Sequence, residues 1–250
     1  MRQRLYDGDR IVEPATGSSR ALVERLGALL KTCFGANPRQ AGPDFFARLT
    51  QMRAQLKEDW LRQQCRQIVE EAGFPLEQMA LDQLRLRGVA PGSDQLPAAQ
   101  AAFYAHRDTW YANPQSQINL WIPLHEVDAS NSFAFYPGYF NQPVQNDSQD
   151  FEYEVFAGKG GFQSPGAATR AHFPRALQAI SEPGQAVEMK AAELLWFSAS
   201  HLHQTLPNRS QQVRFSVDLR LVHRGDEARG LGAPNVDNRS RGSALEDYTW

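Results

Sequence analysis

The sequence predicts a mostly β protein in which N-terminal α-helices pack on one sheet. From residue 78 onwards, short runs of alternating apolar and polar residues are interrupted by Gly, Pro and Asn, a texture typical of layered β-sheets. Before that point, apolar residues recur at helical spacing. The 250 residues suit one large domain, so we expect a helical part at 1–75, a β core at 78–223 and a polar tail at 224–250.

Two helices are predicted in the N-terminal part. The first begins after the N-capping pair Ser18 and Ser19 and ends at Gly35. The second follows Asp44 and ends before Gly73. Its apolar stripe comprises Phe45, Leu49, Met52, Leu56, Trp60, Cys65, Ile68 and Val69. A stripe of this period indicates one buried face, which we expect to pack on the outside of a sheet.

The predicted strands lie at 79–87, 103–108, 115–124, 132–135, 151–156, 185–190, 194–197, 201–206 and 212–222. The last one alternates most clearly. Its apolar side carries Val213, Phe215, Val217, Leu219 and Leu221, and its polar side carries Arg214, Ser216, Asp218 and Arg220. The apolar side requires a core. The polar side is either a solvated face or a barrel interior that holds an anion.

Two segments show no sheet pattern throughout. The stretch 136–181 is polar and rich in Gly and Pro, so we interpret it as a loop of the kind that covers an active site, with a short helix at 174–180. The tail after Arg224 has no periodicity and is expected to lie on the surface or to be partly disordered.

Composition restricts the partners. The net charge is −2 and the sequence contains no long basic run, so neither nucleic acid nor an anionic membrane is an expected partner. We expect no signal peptide and no membrane span, because no apolar stretch is long enough. The cysteines, Cys33 and Cys65, are expected to be buried thiols, and the expected compartment is the cytoplasm. The sequence makes no prediction about the oligomeric state.

A metal site is indicated by closely spaced ligand residues. His106 and Asp108 are two residues apart on a predicted strand, so their side chains share a face and can bind one ion. His201 and His203 share a face in the same way. Two histidines and one carboxylate suit Fe(II) better than zinc and leave positions open for substrates and dioxygen. We therefore predict an iron site with His106, Asp108 and one of the two later histidines.

An anion site is predicted beside the metal. Arg214 can hold a carboxylate of a 2-oxoacid with two parallel hydrogen bonds. Thr205 either donates a third bond to that carboxylate or is an ordinary strand residue. Asn119 and Trp121 share one face of the strand at 115–124, and Trp121 either packs beside the co-substrate or belongs to the core. The set predicts a non-haem iron oxygenase that consumes 2-oxoglutarate.

The chain resembles the phytanoyl-CoA dioxygenase family over about residues 78–223. The resemblance rests on His106-x-Asp108, the stretches 118–124 and 131–139, His203 with Pro207-Asn208-x-Ser210, and Arg214, in that order. It implies an Fe(II)/2-oxoglutarate-dependent oxygenase with a double-stranded β-helix (jelly-roll) core. It also favours His203 as the third ligand and matches Trp121 to a family tryptophan. The chain departs from the family at Tyr139-Phe140, where Ser-His is usual, which leaves that loop's role in substrate choice open.

Substrate contacts are expected from residues near the iron strands. The candidates are Arg85, Arg87, Tyr104, Trp110, Tyr111, Tyr136 and His201, although the aromatic ones could simply form the cavity wall. An acyl-CoA is disfavoured, because no clustered basic residues are evident to receive its phosphates.

The combined prediction is an Fe(II)/2-oxoglutarate-dependent dioxygenase that hydroxylates a C–H bond of a small organic substrate with O2. No catalytic residue beyond the metal site is predicted. Asp108 argues against halogenation, because related halogenating centres carry a small residue there. The alternatives are a cupin-like metal-dependent isomerase or lyase, which Arg214 disfavours, a binding protein without catalysis, and a desaturase or cyclase with the same iron centre.

Overall fold

The computed structural model describes residues 1–56, 59–158 and 172–249. Its α-helices are α1 Arg2–Tyr6, α2 Gly17–Phe34, α3 Phe45–Ala54, α4 Asp59–Glu71, α5 Tyr153–Gly158 and α6 Arg224–Ala228. Its strands are β1 Ile11–Glu13, β2 Met79–Leu81, β3 Arg85–Val89, β4 Ile118–Pro123, β5 Phe133–Phe135, β6 Gln185–Ala186, β7 Leu194–Ser198, β8 His203–Thr205 and β9 Arg214–His223. None of the helices described is long and apolar enough to cross a bilayer.

Two antiparallel sheets face each other. The larger has the strand order β1-β7-β4-β9-β2, with β3 also paired to β9, and the smaller has the order β6-β5-β8. Between them, Trp121 packs against Phe133 with ring centroids 5.1 Å apart. The predicted jelly-roll architecture is confirmed, although the sheets formed by the described residues do not close into a barrel.

The outer face of the larger sheet carries the main core. Phe215, Val217 and Leu219 of β9 are at most 2% exposed and pack in one cluster with apolar residues of α2, α3 and α4. The other side of β9 is also buried, since Arg214 and Arg220 are 3% and 7% exposed. The polar side of this strand is therefore an interior surface and not a solvated one.

The strand register gathers polar side chains on that interior face. On β4 and β9, Asn119 is paired with Arg220 and Trp121 with Asp218. On the other edge of β9, Asp218 is paired with Arg85 of β3. Directly paired residues lie on the same face of a sheet. The register thus makes a continuous polar row across β3, β9 and β4.

The second predicted helix is wrong as a single element, because the structure contains α3 and α4 instead. The backbone N–H groups of Gln55 and Leu56 donate to the carbonyls of Met52 and Arg53, three residues back, so the α-helical pattern tightens and ends. The first helix begins slightly earlier than predicted. Its N-cap is Thr16, which forms a reciprocal capping box with Ser19 at 3.1 and 2.9 Å.

Several predicted local elements are wrong. Residues 103–108 do not form a strand: they lie between 3₁₀ turns at Pro97–Phe103 and Asp108–Tyr111, with one isolated bridge at His106. From Tyr153 onwards, the predicted strand at 151–156 is the helix α5, whose Tyr153 and Phe156 lie one turn apart and are buried in one cluster. The described residues 174–180 contain no helix. The predicted strand at 79–87 is divided into β2 and β3.

The tail is more ordered and more buried than predicted. Tyr248 is 4% exposed, and Thr249 forms a bridge with Leu81 beside β2. The Asp237 carboxylate accepts hydrogen bonds from the Trp110 indole at 2.7 Å and the Arg107 guanidinium at 3.1 Å. Hydrogen bonds hold much of this segment, which explains why a hydrophobic pattern does not reveal it.

Candidate active site

Three predicted ligand residues come together between the sheets. One ligand atom each from His106, Asp108 and His203 lies within 4.8 Å of the others. The backbone N–H of each histidine donates to the carbonyl of the other at 3.0 Å, and the N–H of Asp108 donates to the carbonyl of Ala199 at 3.0 Å. Main-chain hydrogen bonds therefore hold the His106-x-Asp108 segment against residues 199–203, the segment that contains the second histidine.

The imidazoles are oriented by their backbone contacts. Nδ1 of His106 lies 2.8 Å from the carbonyl of Tyr104, and Nδ1 of His203 lies 2.9 Å from that of His201. Each Nδ1 therefore carries the proton and donates, which leaves the Nε2 lone pairs free. Burial, reinforced by the charge of His203, lowers the pKa of His106 to about 4, so this ring is neutral at pH 7. Neutral imidazole is the form that binds a metal.

The carboxylate of Asp108 is held from one side. Its Oδ2 accepts hydrogen bonds from Asn119 at 2.7 Å and from Gln117 at 3.3 Å. Its Oδ1 lies 3.7 Å from Nε2 of His106. Burial alone raises the pKa of this carboxyl, but Arg220, the two histidines and the Asn119 bond outweigh burial and leave the pKa below its ordinary value. The group is therefore ionised, with Oδ1 available to a metal.

A buried relay supports that carboxylate. The hydroxyl of Tyr248 donates to Oε1 of Gln117 at 2.6 Å, and the Gln117 amide donates to Oδ1 of Asn119 at 2.7 Å. The sequence analysis missed Gln117 and Tyr248. Gln117 was detectable in principle, because it lies two residues before Asn119 on the same strand face. Tyr248 had no local signal.

Arg214 is a buried cation that forms no salt bridge within the residues that the structure describes, with Asp218 as a more distant acidic neighbour. Its Nη1 donates to Oγ of Ser216 at 2.7 Å, whereas its Nε has no hydrogen-bond partner in the described part of the chain. Among the same residues it forms no salt bridge, and its guanidinium lies 5.7 Å from the ring centre of Trp121. Burial lowers the pKa of Arg214 to about 10, so it stays charged at pH 7. A buried charge of this kind is stabilised by an anion placed beside it.

The ligand residues and Arg214 line one cavity of about 380 Å³, a size common for small-molecule sites. Six more of the predicted co-substrate and substrate residues line it as well: Thr205, Asn119, Trp121, Arg85, Arg87 and Tyr111. The Asn119 side chain is already engaged with Asp108. Arg87 forms a salt bridge with Asp218.

Four other predicted substrate residues are not part of this cavity lining. Tyr104 and Tyr136 line a neighbouring pocket of about 480 Å³, where the Tyr136 hydroxyl donates to Gln204 at 2.6 Å. Trp110 is fully buried with its indole on Asp237. His201 is 1% exposed and lies 4.6 Å, between ring centres, from Phe140.

Comparison with known proteins identifies the family and the fold of the chain. The family model described as phytanoyl-CoA dioxygenase matches residues 47–216. The crystal structure of EvdO2 from Micromonospora carbonacea var. aurantiaca complexed with 2-oxoglutarate is similar at a TM-score of 0.54 and 14% identity, with 89% of both chains covered. ThoJ, a non-haem monooxygenase solved as a nickel complex, has a TM-score of 0.50 and 13% identity, with 89% of this chain and 76% of its own covered. At these identities the structural likeness concerns the fold.

No curated protein matches the sequence significantly. The family match stands independently of that result, since it spans well over half of the chain. It also contains the three ligand residues and Arg214. The chain therefore belongs to the phytanoyl-CoA dioxygenase family.

Proposed function

We propose that this protein is an Fe(II)/2-oxoglutarate-dependent dioxygenase that hydroxylates a C–H bond of a small organic substrate. The observation that carries the proposal is one cavity shared by a His-Asp-His cluster and the buried Arg214, whose Nε has no hydrogen-bond partner among the described residues. The cluster supplies a metal site, and the arginine supplies a site for an anionic co-substrate. EvdO2, with a similar fold, is solved with 2-oxoglutarate.

The donor set fits Fe(II). His106 and His203 offer imidazole nitrogens, and Asp108 offers one ionised oxygen. Two histidines and one carboxylate on one side of an ion suit ferrous iron and leave its other positions open. When bound, iron with 2-oxoglutarate supplies the oxidising power of the reaction. The protein's part is to orient these ligands and to hold the substrate out of bulk water.

Arg214 would hold the distal carboxylate of 2-oxoglutarate. Its planar guanidinium can donate two parallel hydrogen bonds, one of them from the Nε that has no partner in the described residues. Thr205 lines the same cavity and is a candidate for a further bond. Trp121 would bound the co-substrate on the side where it meets the guanidinium. We assign Asn119 to the support of Asp108, which its hydrogen bond favours.

Hydroxylation is the reaction that we favour. Asp108 occupies the position that related halogenating centres leave empty. A cupin-like isomerase or lyase would give no role to the buried Arg214. A desaturase or cyclase would use the same groups, so it is the nearest alternative and is distinguished by its product.

The test is anaerobic addition of Fe(II) and 2-oxoglutarate to the metal-free protein, followed by visible spectroscopy. We expect a charge-transfer band from the iron-bound 2-oxoacid and, after O2 is admitted, formation of succinate. Absence of both would refute the proposed function. Incubation with a metabolite extract and labelled O2 would then separate the outcomes, because hydroxylation adds one labelled oxygen atom and desaturation removes two hydrogens.

A further inference from the structure

The cavity carries more positive than negative charge. Five arginines line it: Arg53, Arg85, Arg87, Arg214 and Arg220. Only two aspartates, Asp108 and Asp218, belong to the same lining. Neither sequence analysis nor any single segment shows this cluster, because its members come from α3, β3 and β9.

Three of these arginines have an acidic neighbour. Arg220 lies 3.8 Å from the Asp108 carboxylate, and Arg87 is paired with Asp218. Arg85 lies 2.5 Å from Asp82, outside the lining. Arg214 is assigned above to 2-oxoglutarate. The remaining cation is Arg53.

Arg53 forms no salt bridge in the described residues, although the charge of Asp218 acts on it from a greater distance. Its Nε donates to the carbonyl of Leu86 at 2.9 Å, and no salt bridge of Arg53 occurs within residues 1–56, 59–158 and 172–249. Burial first, and then the charge of Arg87, lowers the pKa of Arg53 to about 10. The guanidinium therefore remains charged at neutral pH, and its terminal nitrogens form no hydrogen bond within the described residues.

The fold holds Arg53 at the cavity. Phe46, Leu49 and Arg53 lie on one face of α3 and all line the cavity. That helix packs tightly on β3 at Gly88, where an added Cβ would lie 2.9 Å from Phe45 and 3.1 Å from Leu49. Phe46 is 44% exposed, so this wall reaches the surface. The close approach to Gly88 fixes the helix and its cation at the cavity wall.

Iron and 2-oxoglutarate do not neutralise this excess. Fe(II) is a dication and 2-oxoglutarate is a dianion, so their binding together adds no net charge. Arg53 is half-buried, and a partly desolvated cation is stabilised by an anion that pairs with it. The remaining component of the reaction is the prime substrate, and a negative charge on it would complement the excess positive charge of the cavity.

We propose that the prime substrate carries an oxyanion, a carboxylate or a phosphate, which binds Arg53 on the α3 wall of the cavity. The rest of the substrate would lie against the aromatic side chains Phe103, Phe133 and Phe197, which line the same space. This inference rests on the proposed function and specifies its substrate class. A guanidinium binds both oxyanions with paired hydrogen bonds, so the experiment must distinguish them.

The experiment is anaerobic calorimetric titration of protein loaded with Fe(II) and saturating 2-oxoglutarate. The probes are matched alkyl and aryl carboxylic acids of four to ten carbons, the corresponding phosphates, and the corresponding primary amides. We expect one anionic series to bind roughly tenfold or more tightly than the amides, as charge-assisted bonds imply. Arg53→Gln should abolish that preference, whereas Arg53→Lys should retain part of it. Arg48→Gln is the matched control, because Arg48 is exposed on the same helix.

The outcomes separate the two proposals. If amides bind as tightly as anions, if no anion of the panel binds, or if Arg53→Gln keeps the full preference, the inference about Arg53 is wrong. The visible charge-transfer band of iron-bound 2-oxoglutarate is recorded on the same samples. A normal band in Arg53→Gln shows that this variant is folded and that the proposed function stands, while its absence in the unmodified protein refutes the proposed function itself.

Discussion

Asn119 donates a 2.7 Å hydrogen bond to Oδ2 of Asp108, while Oδ1 of the same carboxylate lies 3.7 Å from Nε2 of His106. The carboxylate is thereby oriented before any metal arrives. The Asn119 side chain accepts a hydrogen bond from Gln117, and Gln117 accepts one from the Tyr248 hydroxyl. The C-terminal tail is thus connected to the proposed iron site by three consecutive hydrogen bonds.

Asn119→Ala should weaken iron binding by about 10- to 100-fold, the range found when the hydrogen-bond partner of a metal ligand is removed. The reason is that the Asp108 carboxylate becomes free to rotate away. The measurement is an anaerobic Fe(II) titration, with Asn37→Ala, an exposed position, as control. An unchanged dissociation constant would show that Asn119 does not orient the ligand.

His203→Ala should abolish iron binding, because two remaining ligands cannot hold the ion. His201→Ala should retain it, since the buried His201 ring packs against Phe140 and does not line the cavity. Bound iron is measured by metal analysis after desalting, with circular dichroism to verify folding. Iron retained in His203→Ala and lost in His201→Ala would reverse the assignment of the third ligand.

Arg214→Ala should raise the 2-oxoglutarate concentration needed to form the visible band, while Fe(II) binding is maintained. Removing one partner of a buried charge pair costs about 2–5 kcal/mol. Arg209→Ala is the matched control, because the Arg209 side chain is 60% exposed. If Arg214→Ala needs no more 2-oxoglutarate than the control, Arg220 and Arg87 become the candidates to test.

The metal-free protein should lose stability as the pH falls, with His125 as one cause. Nε2 of His125 accepts the backbone N–H of Phe215 at 2.9 Å, which only a neutral ring can do. Burial lowers the pKa of His125 to about 4. In the window between this value and the ordinary 6.5, the unfolded chain binds the proton more readily, so stability decreases from pH 6.5 towards pH 4.

The contribution of His125 is measured by comparing the pH dependence of unfolding in the unmodified protein and in His125→Gln. Urea unfolding at pH 7.5 and pH 5 should show a loss in the unmodified protein that exceeds the loss in His125→Gln by on the order of 1 kcal/mol. Other histidines titrate in both proteins and cancel in this comparison. Equal losses would mean that His125 does not couple folding to protonation.

Tyr248→Phe should destabilise the protein by about 1–3 kcal/mol, because it leaves the buried Oε1 of Gln117 without its donor. Tyr139→Phe is the matched control, since the Tyr139 hydroxyl contacts Ser181 at the exposed surface. The measurement is thermal unfolding of the metal-free proteins. Equal melting temperatures in the two variants would indicate that the tail does not support the site.

Features that depend on local spacing were predictable from the sequence alone. Alternation along β9 correctly separated its core side from the side that carries Arg214, because residues two apart on a strand share a face. The His106-x-Asp108 pair and His203 were identifiable because their residue types and family spacing do not depend on knowing the fold. The structure then brought these three side chains together.

Only the tertiary structure decided features that depend on distant partners. The segment at 103–108 looked like a strand, yet only His106 pairs, with His203, and the rest follows the irregular path that places Asp108. The tail has no periodicity, and its burial comes from single hydrogen bonds such as that between Tyr248 and Gln117. Pattern analysis detects repeated burial along one element and cannot detect isolated contacts of this kind.

The arginines of the cavity also separate what local spacing predicts from what depends on distant partners. In sequence no basic cluster is evident, because Arg53, Arg87 and Arg214 lie in three separate segments. The pairing of β3 with β9 and the packing of α3 on Gly88 bring them to one cavity. Local spacing thus determined which side chains face inward along each strand. The charge of the space that they enclose depends on which strands and helices become neighbours, because electrostatic interactions act across space and not along the chain.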